Sequence, residues 1–407
     1  MFHRIDIQPD FITVVNDVLN NKVTEELIWV RIDSQSYTFK VSQAKRSVYP
    51  CVTDPEVRLT ELSAHQFSLR IKGGETILLR APRSYLLTEN QSNAHFNCMD
   101  IKGEVLVVGE DTGTITCFKH RQSDLRLTTK LMIPGAHLTE VLRTAIFPSG
   151  KVALSMGLDY TIKIWSLDDG SNPRTIRGVQ LKRLSDVVLI GSHGRNFVSS
   201  SLDGTACIWE CGSGKCIEKF QRVKDMNDGV MSLAVEEFEQ TMDEEPRNSL
   251  FFECSGKRLY CGHNSGVVSV WDLGTRRFIG EFNCTTDQKF GGVSSLAIDG
   301  GVIMVGFSKR SVVKGYRVSF LEGETVNAVC IWTANIGDQE EEQEIKRIKK
   351  TAVDTVICLS TDDLVALNLN DGQITEYFVG YDNVLNDITV KDNRVYVCGK
   401  EGLLMEY

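Results

Sequence analysis

The chain has 407 residues, 42% of them hydrophobic and 24% charged, and carries a formal net charge of −9 at pH 7. This is the composition of an ordinary folded soluble protein, large enough for one big closed architecture or several domains. The acidic balance disfavours nucleic acid and anionic membranes as partners, because binding through phosphate neutralisation asks for a basic face; a basic protein partner suits it better. No apolar run of about 18 residues occurs and Met1–Asp10 lacks the layout of a secretion signal, so the expected location is cytoplasmic, with the nucleus as a second compartment.

Residues 1–74 predict a small α+β domain. Pro9-Asp10 followed by Phe11, Val14, Val15, Val18 and Leu19 has helical spacing with a start signal, and Asn20-Asn21 suits the helix end. Strand-like runs follow at Leu27–Ile32, Tyr37–Val41, Glu56–Leu62, Phe67–Ile71 and Thr76–Leu79.

From residue 92 onward one short pattern recurs. A turn residue is followed six positions later by an aromatic or its substitute, with alternating apolar residues between: Thr112 to Phe118, Asp159 to Trp165, Asp203 to Trp209, Ser265 to Trp271, Arg310 to Tyr316, Asp362 to Asn368 and Glu401 to Tyr407. The closing residues are 47, 44, 62, 45, 52 and 39 apart, against about 40–45 for WD40 repeats, which these units resemble. The expected fold is therefore an all-β, seven-bladed β-propeller over residues 75–407, preceded by the α+β domain. An alternative sixth register, Asp371-Gly372 to Tyr377, leaves too little chain for four strands before Tyr407, so Asp371-Gly372 is assigned to a hairpin turn.

The chain stops at the end of a third strand. Since an open sheet edge leaves backbone groups unpaired, a strand from residues 75–82, near Thr76–Leu79, is expected to complete the last blade. The two long spacings contain the charged stretches 236–248 and 338–350. Both are placed between the first and second strands of their blades, on one face, and the second is expected to form a short helix with Glu342 and Lys346 paired four residues apart.

His137, Ser155, Asp159 and Trp165 stand where WD40 repeats build a buried hydrogen-bond chain; imidazole, hydroxyl, carboxylate and indole satisfy one another there. The same residue types could be mistaken for a catalytic set. Their recurrence as Ser199, Asp203 and Trp209 favours structure, since no single active site reuses its pieces. In the third unit Arg177-Gly178-Val179 replaces the expected Gly-His, which predicts an incomplete chain of bonds there, and Gly262-His263 is placed at the turn before Ser265. No phosphate loop, dinucleotide, HExxH or GxSxG motif occurs, and Gly212-Ser213-Gly214-Lys215 reads as a hairpin turn. Twelve cysteines lie scattered in apolar runs and read as small buried hydrophobes; Cys207, Cys211 and Cys216 lack zinc-site spacing. No catalytic residue, metal or cofactor is expected. Turns at the rim that WD40 partners usually meet hold Glu110, Asp111, Asp225, Asp228 and Glu401, which together suggest an acidic binding surface.

Two stretches resemble a narrower family. Phe147-Pro148-Ser149-Gly150 through Ile162–Ser166 and the run Asp169-Gly170-Ser171-Asn172-Pro173-Arg174-Thr175 form the first. Gly194–Thr205, continuing to Trp209-Glu210-Cys211-Gly212 and Asn227-Asp228-Gly229-Val230, forms the second. Both are similar to the proteasomal ATPase-associated factor family, and the match is strongest over residues 147–230. The resemblance implies an assembly chaperone for the base of the proteasome 19S regulatory particle, acting as a monomer. It would bind the C-terminal domain of one AAA ATPase subunit through the acidic face and release it when the core particle competes; Asp228, in a matching segment, is the leading contact residue. The alternative is a WD40 scaffold or substrate receptor of a ubiquitin ligase, but residues 1–90 contain one clear helix and no adaptor-binding helical segment.

Overall fold

The computed structural model describes residues 3–42, 47–88, 95–120, 126–238, 250–285, 287–321, 325–337, 341–351, 354–381 and 384–407. Seven sheets, hereafter blades one to seven, follow one another over residues 96–133, 141–176, 184–221, 230–283, 293–335, 345–378 and 385–406. Their inner strands are Phe96–Lys102, Val141–Ile146, Leu184–Ile190, Val230–Glu237, Val293–Asp299, Ile345–Lys350 and Leu385–Lys391. Each lies beside the next, and the seventh lies beside the first. Blades are covered on both faces by their neighbours, which is why second strands such as Asn196–Ser201 and Val302–Phe307 are buried at every residue rather than at alternate ones.

Polar groups on the inner strands tie every blade to its neighbour. Asp100 of blade one accepts from the Ile146 N–H of blade two at 2.7 Å. Arg143 of blade two is 3.6 Å from Asp186 of blade three, whose carboxylate accepts from the Leu233 N–H of blade four at 3.0 Å. Ser232 Oγ donates to Val293 O of blade five at 2.8 Å, and Ser295 Oγ of that blade accepts from the Ile348 N–H of blade six at 2.9 Å. Lys346 Nζ donates to Leu385 O of blade seven at 2.6 Å, and Asp387 of blade seven accepts from the Met99 N–H of blade one at 3.2 Å. Arg347 reaches both Asp387, at 2.9 Å, and Asp186 across the ring, at 3.4 Å. Burial alone would push the Asp387 carboxyl up, but Arg347, Arg143 and Lys349 hold it below its ordinary value.

The N-terminal helix Phe11–Leu19 buries Phe11, Val14, Val15 and Val18. Beside it lies a sheet of Ile5–Ile7, Glu25–Ile32 and Gln35–Ser42. The strands Val48–Pro50, Arg58–Ser63, Gln66–Arg70 and Thr76–Arg80 continue the sheet of blade six, with Thr76–Arg80 running parallel to Ile374–Phe378 through the pairs Tyr377 with Leu79 and Phe378 with Arg80. The expected closing strand therefore forms but closes nothing. Ile77 and Leu79 are drawn to the apolar cluster of Trp332, Val365 and Tyr377 on blades five and six. The fourth strand of blade seven is instead Ser84–Tyr85, antiparallel to Leu404–Glu406, with Arg83 N–H on Glu406 O at 2.7 Å and Leu86 N–H on Leu404 O at 2.9 Å.

Two further expectations are corrected. The long fifth spacing comes partly from an extended outer hairpin, Val312–Leu321 with Thr325–Asn335. Stretch 338–350 holds no helix in its described part: Ile345–Lys350 is the inner strand of blade six, because Ile345 and Ile348 are buried between blades. Glu342 accordingly pairs with Lys309, at 3.7 Å, and not with Lys346. Residues 341–344 join an outer strand to the next inner strand, so they lie on the face opposite the connection after Val230–Glu237, most of which, 239–249, is outside the described residues.

Replacing Asp387 by Ala leaves the Met99 N–H unpaired and strips Arg347 of its nearer carboxylate. The expected cost is about 3 kcal/mol, measured as a lower urea midpoint; an unchanged midpoint would show that the tie between blades seven and one is dispensable.

A candidate protein-binding face

The chain enters each inner strand from one face, leaves it on the other and returns along the second strand. The links from outer to next inner strands and the turns between second and third strands therefore share a face. In blade two this face is held by the expected four residues. His137 Nε2 lies 2.7 Å from Ser155 Oγ, Trp165 Nε1 donates to the same oxygen at 2.8 Å, and His137 Nδ1 lies 3.0 Å from Asp159 Oδ1. Asp159 also accepts from Thr161 Oγ1 at 2.7 Å and from the Leu138 N–H at 3.0 Å. Burial pulls the imidazole below its ordinary pKa despite Asp159. Burial pushes the Asp159 carboxyl up, but the bonds from Thr161, Leu138 and His137 bring it below its ordinary value.

Blade three lacks the imidazole, as expected, and its carboxylate is joined to the rest through Thr205, whose Oγ1 lies 3.4 Å from Gln180 Nε2 and donates to Asp203 at 2.6 Å. Gln180 stands in for the imidazole: Ser199 Oγ donates to Gln180 Oε1 at 2.5 Å, Trp209 Nε1 donates to Ser199 Oγ at 2.8 Å, and the Leu181 N–H donates to Asp203 at 2.8 Å. The signal was present in the sequence, since Gly178-Val179-Gln180-Leu181 parallels Gly135-Ala136-His137-Leu138. In blade four His263 is not a bare turn residue. It ends the strand Lys257–His263 and its Nε2 lies 2.8 Å from Ser269 Oγ, which Trp271 Nε1 also reaches at 3.1 Å.

The five rim carboxylates divide. Glu110 is buried and accepts from Thr116 Oγ1 at 2.8 Å and Thr112 Oγ1 at 3.2 Å, holding the turn of blade one. Asp228, expected as the leading contact residue, is also buried. It pairs with Arg222 and accepts from the Ser265 N–H at 2.9 Å and Ser265 Oγ at 2.5 Å, while Arg222 also binds Glu281 at 2.9 Å. Its carboxylate is committed inside the fold. Asp111 and Glu401 are brought together by His95: its N–H donates to Asp111 at 3.4 Å and its Nδ1 accepts from the Glu401 N–H at 3.0 Å. Asp225 is exposed but stands apart, next to Lys224.

Exposed carboxylates of stretch 338–350, expected on the other face, belong here, together with two further exposed carboxylates. Glu341, Glu342 and Glu344 lie in the link to blade six, Asp362 in that blade's turn, and Glu140 in the link to blade two. With Glu401 and the partly exposed Asp111 they make a mainly acidic arc over blades six, seven and one, interrupted by the exposed Lys400 beside Glu401 and by Lys309, which pairs with Glu342. Blades three and four instead present Arg177, Lys182, Arg183 and Lys224, all exposed. Between the two halves opens a cavity of about 270 Å³ at the mouth of the central channel, lined by Glu140, Arg143, Arg183, Glu344 and Lys346 among others. The face is therefore divided in charge and not uniformly acidic. All twelve cysteines are free; nine are buried, Cys211 and Cys216 are partly exposed and Cys330 is exposed.

Comparison with known proteins agrees with this architecture. A model of the WD domain, G-beta repeat, matches residues 180–210, from Gln180 to the end of the third strand of blade three. The chain is 30% identical over 249 residues, 59% of its length and 54% of the relative's, to 26S proteasome regulatory subunit RPN14 of Saccharomyces cerevisiae. It is 23% identical over 211 residues (47% of this chain, 35% of the relative) to the CCR4-associated factor 4 homolog of Candida glabrata. It is 24% identical over 179 residues (42% and 43%) to a guanine nucleotide-binding protein subunit beta of Oryza sativa. The chain thus spans between about a third and about half the length of these curated relatives.

Two measurements probe the blade-two network. Asp159→Ala leaves His137, Thr161 and the Leu138 N–H without their acceptor and is expected to cost about 2 to 3 kcal/mol; an unchanged melting temperature counts against it. The unfolded imidazole titrates near 6.5, and below that pH the unfolded chain takes up a proton that the folded His137 refuses. Stability is thus full above the unfolded value and falls as pH drops toward the depressed folded one, with His263 acting in the same direction through its burial. His137→Gln, which copies Gln180, is expected to flatten the fall of melting temperature between pH 7 and pH 5 without abolishing it.

Proposed function

We propose that this WD40-type propeller is an assembly chaperone for the base of the proteasome regulatory particle, holding the C-terminal domain of an AAA ATPase subunit on its loop face. The observation that carries this reading is the 249-residue similarity to a 26S proteasome regulatory subunit. The loop face supports it. Glu341, Glu342, Glu344, Asp362, Glu401 and Asp111 gather on one half and suit a basic helical surface. Opposite charges across such a contact steer encounter and fix register. The protein is a binder and not a catalyst on this reading: its Ser–His–Asp constellation is buried and spent on holding turns. It works as a monomer, in the cytoplasm and nucleus, without a cofactor, and gives up the ATPase when the proteasome core particle competes for the same surface.

Affinity purification with identification of copurifying proteins is the direct test. Recovery of ATPases from free base intermediates is expected; recovery of mature proteasomes only, or of a ubiquitin ligase without ATPases, overturns the reading. Reversing the charge of Glu341, Glu342 and Glu401 together is expected to weaken ATPase binding about tenfold or more at low salt and less at high salt, with the melting temperature kept. Asp228→Asn is expected to lower the melting temperature instead.

A further inference from the structure

The other half of the loop face carries an apolar surface that the fold does not use. Leu138, Leu181 and Val223 are 89%, 76% and 85% exposed, and Tyr160 and Met226 are about half exposed. They sit on the links and turns of blades two, three and four. Single exposed apolar residues are ordinary on a monomer; five on neighbouring loops of one face mark an interaction surface.

Their placement follows from the hydrogen-bond chains beneath. Because His137 and Gln180 turn inward, and because the Leu138 and Leu181 N–H groups are held at 3.0 and 2.8 Å by Asp159 and Asp203, the leucine side chains that follow must point outward. The links are knitted to the turns beside them: Leu158 N–H donates to Glu140 O and Leu202 N–H to Arg183 O, both at 2.9 Å. Gln221 Nε2 donates to Met226 O at 2.8 Å. The apolar side chains are thus presented by backbone that is already ordered, which lowers the cost of binding. A polar residue at 138 or 181 would leave every one of these bonds in place, so the fold does not explain the leucines.

The flanking charges say what lies on top. Arg177, Lys182, Arg183 and Lys224 border the apolar residues, against the carboxylates Glu140 and Asp225. We infer that blades two to four dock an apolar segment of the partner edged by carboxylates, while the acidic arc holds a basic part of the same partner, so that the ATPase domain seats in one orientation. This rests on the chaperone reading for the partner's identity.

The test uses the full chain and purified C-terminal domains of the proteasomal AAA ATPases, with affinity measured by calorimetry. Leu181→Ser with Val223→Ser is expected to weaken binding at least about tenfold at every salt concentration, in line with loss of buried apolar anchors. Lys182→Glu with Arg183→Glu is expected to weaken it most at low salt. Leu62→Ser, an exposed apolar residue of the N-terminal region, is expected to bind as wild type. All four substituted side chains of blades three and four are exposed, so melting temperatures serve as the folding control. A domain that binds wild type and both variants equally overturns the docking inference and leaves the chaperone reading standing. If no ATPase domain binds wild type, the chaperone reading falls, and the assigned occupant with it.

Discussion

The ring of polar ties between inner strands is the constraint on which the rest of the structure depends. Apolar burial between blades is strong but non-directional; it brings sheets face to face without fixing how far one slides along the other. A carboxylate or hydroxyl that must meet one particular backbone N–H on the next blade sets that offset. Asp100 on Ile146, Asp186 on Leu233, Ser295 on Ile348 and Asp387 on Met99 do this around the circle. Asp186, Ser295 and Asp387 are buried and Asp100 is half-buried, so each also carries a penalty for a missed partner and a slipped blade is costly. Arg347, held between Asp387 and Asp186, couples the side of the ring where the chain ends to the side opposite.

Once the offsets are set, the loop face follows. Every link and turn emerges at a height dictated by its blade, and a second layer of side-chain bonds then trims each loop. That layer explains how one residue type serves two ends. Asp159, Asp203, Asp228 and Glu110 hold turns from within, whereas Glu401, Glu342 and Asp225 stand in solvent. In the sequence the two groups look alike, because both lie in or at the edge of the short polar segments between strands.

This limits what could be seen beforehand. The seven units, their turns and the blade-two network were legible because each rests on local spacing: a strand's alternation, or a carboxylate six residues before an indole. The fate of Thr76–Leu79 was not, because two unfilled sheet edges compete for one strand, and the outcome depends on a cluster built by Trp332, Val365 and Tyr377 far away in the chain. Stretch 338–350 misled for a related reason. Glu342 and Lys346 have helical spacing, but Ile345 and Ile348 have inter-blade burial to gain, and tertiary packing overrides a weak pair. Asp228 misled because Arg222, which neutralises it, gives no sign in sequence of being buried.

A face divided in charge has a consequence that a uniformly acidic one lacks. Uniform charge attracts an oppositely charged partner in any rotation about the ring axis, and a seven-fold scaffold offers several near-equivalent rotations. With carboxylates predominating over blades six, seven and one, and cations around apolar side chains over blades two to four, a partner matched to both halves, as inferred above, fits best in one rotation. The wrong rotations set like charges against each other and leave leucines against charged groups, a cost to the competitors that raises specificity without demanding tighter contact in the correct pose. On the chaperone reading proposed above, selectivity obtained by penalising alternatives is the more useful kind, because it does not slow the partner's exit.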